Sequence, residues 1–101
     1  MKLPHLVAAL CLAVTAGGVA AQDPNLARNL AATCANCHGT DGKAAAGAGM
    51  EALAGADKEK LLQKIREFKS GVRPATIMQQ IAKGYTDAQL ELIASYFAAQ
   101  R

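Results

Sequence analysis

The feature that most restricts this chain is Cys34-Ala35-Asn36-Cys37-His38. Two thiols three residues apart lie on one side of a helical turn, so both can reach a single flat partner. The adjacent imidazole can then be aimed at the centre of that partner. C-x-x-C-H is the attachment pattern of haem c, in which the thiols add to two vinyl groups and the histidine meets the iron. Three other readings of the motif compete. A thioredoxin-like redox pair needs a βαβ setting, and no strand pattern is present. A structural zinc site needs about four protein ligands. A simple Cys34–Cys37 disulfide leaves the neighbouring His38 without a role.

The chain has 101 residues, enough for one small domain. Its first residues follow another logic. Lys2 and His5 precede an apolar run from Leu6 to Val14, and small residues 16–21 lead into Gln22-Asp23-Pro24. That three-part order is the pattern of a secretory signal peptide. The run falls short of the about 20 apolar residues of a membrane span. Residues 1–21 are therefore expected to be cleaved, with no stable membrane span left, and the domain to occupy residues 22–101. Cleavage removes Cys11 and His5, leaving two cysteines and one histidine, and lowers the net charge from +3 to +2. So mild a charge, with four aromatic residues, gives no case for nucleic-acid binding. Export implies an oxidising compartment, the bacterial periplasm.

Domains this small usually need a staple or a metal to complete their interior. This one is rich in alanine and lacks tryptophan. A large, flat, mostly apolar haem would fill the gap. The pattern predicts an all-α fold of three main helices with short turns around one haem. In the first helix Asp23 caps, Pro24 occupies the first turn, and Leu26, Leu30, Cys34 and Cys37 face inward. Gly39 to Gly55 reads as a loop wrapped on a ligand. The second helix covers Asp57 to Ser70, with Leu61, Leu62, Ile65 and Phe68 inward and the lysines on other faces. It is closed by Gly71 and Pro74. A short helical turn is expected at Thr76 to Ala82. The third main helix starts at a capping box, Thr86 with Gln89, and buries Leu90, Ile93, Ala94 and Phe97.

An electron-transfer haem iron usually has six ligands, and methionine is the common partner of histidine. Only Met50 and Met78 remain after cleavage. Met78 lies in the connection between the second and third helices, which can cross to the face opposite His38, and Pro74 stiffens that approach. This favours Met78 over Met50. Lys43, Lys69, Arg73 and Lys83 could ring an exposed haem edge and steer an acidic partner, or could be ordinary solvated charges.

Cys34 to Gly39, Leu53-Ala54-Gly55, Phe68 to Met78 and Ile81 to Tyr85 together resemble the class I cytochromes c. The likeness is strongest to the cytochrome subunit of flavocytochrome c sulfide dehydrogenase, then to c4 and c553 types. It implies a covalent haem c, first and last helices crossing beside it, His38 and Met78 as axial ligands, and one-electron transfer without catalysis by this chain. It also implies redox protein partners, including a flavoprotein subunit, or alternatively a freestanding shuttle. An open-site haem sensor or peroxidase is a third reading, and a haem-free thiol oxidoreductase a fourth. Relatives often carry a proline shortly before the Leu-Ala-Gly segment. Here Gly49-Met50-Glu51-Ala52 has none, which leaves open the carbonyl that orients the His38 ring.

Overall fold

A computed structural model describes residues 23–101. The expected signal segment, residues 1–21, lies outside the described residues. Those described are helical, with no strand among them. The elements are α1 (Leu26–Ala31), α2 (Ala35–His38), α3 (Lys58–Ser70), α4 (Met78–Lys83) and α5 (Asp87–Ala98).

The first expected helix is divided. A 3-10 turn, Ala32–Cys34, separates α1 from α2. Tightening the turn from 3.6 towards three residues rotates the faces before and after it. Leu26 therefore ends up exposed, whereas Ala31 is buried. Asp23 is not the helix cap: Asn25 takes that position without a side-chain cap bond, and Asp23 Oδ1 instead accepts from the Asn25 N–H at 2.9 Å in the turn ahead of the helix. Regular helical geometry begins only at Leu26, after a turn in which the Leu26 N–H donates to the Asp23 carbonyl. Pro24 is compatible with this entry because it has no N–H to satisfy.

The second and third expected helices form as the sequence pattern requires. Asp57 accepts from the Lys60 N–H at 2.9 Å, and Gly71 closes α3 in the left-handed conformation. The capping box of α5 is complete: the Gln89 N–H donates to Thr86 Oγ1 at 3.1 Å, and the Thr86 N–H donates to Gln89 Oε1 at 2.9 Å. Thr86→Ala should lower stability by about 1 kcal/mol, read as an earlier urea midpoint with an unchanged slope. The expected short turn appears as α4, shifted two residues to begin at Met78.

Helix α5 packs across α1 and α3, and α4 packs on α3. The core is thin. Beyond alanines, the buried apolar side chains are Leu61, Leu62, Ile65, Leu90, Ile93 and Phe97. Two long-range hydrogen bonds close the shell. Tyr96 Oη donates to Asp41 Oδ1 at 2.5 Å, and this contact holds the phenol above its usual pKa range. Thr33 Oγ1 pairs with Tyr85 Oη.

The glycine-rich connection is folded back rather than slack. Gly42 is buried, and its carbonyl accepts from the Leu53 and Ala54 N–H groups at 2.8 and 3.0 Å. This pinch returns the segment around Glu51 to the neighbourhood of His38.

Candidate functional site: a haem cleft

Six parts of the chain converge on one cleft. Cys34 ends the 3-10 turn, His38 ends α2, and Met78 begins α4. All three line the cleft, as do Leu61, Ile65 and Phe68 from α3 and Leu53 from the loop. The space is about 630 Å³, including its open mouth. Its walls are mainly apolar, and Leu90, Ile93 and Phe97 form its floor with the core.

Cys34 is half-buried and Cys37 exposed, and both thiols are free. Burial pushes the Cys34 thiol above its ordinary pKa, against a smaller opposing effect of the Thr33 side chain. His38 is fixed on one side: its Nδ1 lies 2.7 Å from the Glu51 carbonyl oxygen. For that contact to be a hydrogen bond Nδ1 must carry the proton and donate. That contact leaves Nε2 as the nitrogen that would meet a metal. Met78 is half-buried in the cleft wall, whereas Met50 is 41% exposed and does not line it.

The donor set and the walls fit a haem. Cys34, an imidazole held through Nδ1 and a thioether from a distant element line the apolar slot, with Cys37 exposed three residues from Cys34 and outside the lining; these are the groups a covalent haem c uses.

Comparison with known proteins decides the family. Residues 26–100 match the family model described as cytochrome c. The chain belongs to the cytochrome c family. It is 40% identical to the cytochrome subunit of sulfide dehydrogenase of Chlorobaculum tepidum, over 67% of this chain and 60% of that protein. It is 35% identical to cytochrome c4 of Pseudomonas aeruginosa, over 91% of this chain and 45% of that protein. With cytochrome c-553 of Nitratidesulfovibrio vulgaris it shares 30% identity over 97% of this chain and 98% of that protein. The chain thus spans less than two thirds of the first two of these relatives. As a cytochrome c it is an electron carrier with covalently attached haem c, and Cys34 and Cys37 stand in the C-x-x-C-H position.

The basic ring expected from the sequence is partly neutralised. Lys69 donates to the Tyr85 carbonyl at 2.7 Å and pairs with Asp87 at 3.3 Å. Arg73 pairs with Glu67 at 2.7 Å, and the Arg73 hydrogen bond, followed by that from Gln63, holds the Glu67 carboxyl below its usual pKa. Among the described residues, no ion pair involves Lys43 or Lys83. Two contributors were not read from the sequence. One is the Glu51 carbonyl. The other is Lys64, placed by spacing on the solvent side of α3 but found at the cleft wall. No residue pattern marks either; the missing proline before Leu53 was the only sign that this segment differs.

Proposed function

We propose that the chain is a periplasmic one-electron carrier, freed of residues 1–21, and that it accepts electrons as the cytochrome subunit of a sulfide-oxidising flavoprotein. Haem c bound in the cleft supplies a one-electron couple. In this reading Cys34 and Cys37 would anchor it, and His38 Nε2 and Met78 Sδ would hold its iron. The observation that carries the reading is the presence of His38 and Met78 on one cleft although α2 and α4 are about 40 residues apart. With both ligands supplied by the protein, the chain's own residues would bind, orient and insulate the group. Val72, 78% exposed, and Ile77, 55% exposed, stand near Met78 in the chain and offer an apolar contact for a partner. Lys43 and Lys83 remain as its steering charges. Sulfur chemistry then takes place on the flavoprotein.

A freestanding shuttle is the second reading, favoured by the nearly complete overlap with the c-553 relative. Purification from the native host separates the two. Co-elution with a flavin-bearing subunit, and haem reduction on adding sulfide to that complex, are expected. A chain that elutes alone and is not reduced by sulfide supports the shuttle. Mass measurement of the secreted protein should give a chain beginning at Gln22 and carrying one haem.

A further inference from the structure

We infer that Lys64 and Glu51 form a clamp that sets the His38 ring and thereby the redox balance of the site. This rests on the proposed ligand role of His38. Glu51 is used at both ends. Its carbonyl oxygen is 2.7 Å from His38 Nδ1, while its carboxylate receives Lys64 Nζ at 2.8 and 3.1 Å. The backbone bearing that carbonyl has little else to hold it. It contains no proline, and among the described hydrogen bonds no N–H from Gly49 to Ala52 is a donor. Upstream, Gly47 and Gly49 are both in the left-handed region with no neighbouring atom to restrict them. Downstream, Leu53 and Ala54 are tied to Gly42. The Lys64 ammonium supplies the missing constraint from a rigid element, because α3 is seated by Leu61, Leu62 and Ile65.

The consequence is chemical. A well-aimed Nδ1–H···O=C bond makes the opposite nitrogen a stronger donor, which favours the ferric state. Releasing the clamp weakens that donation and favours the ferrous state. The pair is partly solvent-exposed, 32% for the Lys64 side chain and 61% for Glu51, so effects of a few-fold are expected.

The test uses the ferrous holoprotein by NMR. In Glu51→Gln and in Lys64→Gln, exchange of the His38 Nδ1 proton should quicken about threefold. The reversed pair, Glu51→Lys with Lys64→Glu, should recover most of the protection. The double variant Glu51→Gln with Lys64→Gln leaves the net charge unchanged. At a fixed ambient potential its ferrous-to-ferric ratio should rise about threefold. Unchanged exchange in either single variant, or no recovery in the reversed pair, overturns the clamp. An unchanged ratio in the double variant overturns its bearing on redox balance. The underlying assignment is read separately in the unsubstituted protein. A ligated His38 gives ring signals strongly displaced by the porphyrin and insensitive to pH. Failure of that result rejects the ligand, not the clamp.

Discussion

Ferric Met78→Ala holoprotein should lose the weak red absorption band of methionine-ligated haem, whereas Met50→Ala should keep it. The difference follows from position. Met78 opens α4 on the cleft wall, and Met50 is exposed outside it. On the proposed ligation, removing the thioether would take away one of the two protein ligands. Carbon monoxide should then bind the ferrous protein readily at neutral pH. Methionine ligation raises the reduction potential. Its loss should lower the midpoint by roughly 0.2 V, a fraction of the about 0.8 V that axial ligands command. The haem should stay attached, since Cys34 and Cys37 are untouched. Loss of the band in Met50→Ala alone would reverse the assignment. Rapid carbon monoxide binding by the unsubstituted protein would favour the open-site reading.

The second large effect concerns stability. Gly42→Ala should cost about 3 kcal/mol, combining a strained positive φ with overpacking. Gly42 has φ 77°, and an added Cβ would stand 2.8 Å from both the Ala54 nitrogen and Phe97 Cδ1. Neither neighbour can yield cheaply. Ala54 N is held on the Gly42 carbonyl, and Phe97 is among the most deeply buried side chains. Gly49→Ala is the control. Its φ is 69°, but an added Cβ would meet nothing within 4 Å, so only the backbone term of about 1 kcal/mol remains. Guanidinium denaturation of the holoproteins should separate the two. Equal midpoints would mean that the loop repacks around the extra methyl. Against a total stability of about 5–15 kcal/mol, the Gly42 change should also increase protease sensitivity.

Much of this was legible in the chain because it is written in side-chain chemistry. The Cys34–His38 motif, the Asp57 cap, the Thr86 box and the inward stripe of α5 each carry a local signature. The family follows from the same residues. The break after Ala31 was not legible, because an alanine-rich tract suits an α-turn and a 3-10 turn almost equally and tertiary packing decides. Nor could the Glu51 carbonyl be read. Every residue has a carbonyl, and its direction here depends on the glycines at 47 and 49 and on the pinch at Gly42. Lys64 was assigned to solvent because its spacing matched the other lysines. Only the returning loop gives it a carboxylate to hold.

The tie between Tyr96 and Asp41 spans 55 residues, and that between Tyr85 and Thr33 spans 52. With α5 lying across α1, the first helix of the domain is covered by its last. The surroundings of the attachment motif thus depend on contacts between the two ends of the domain.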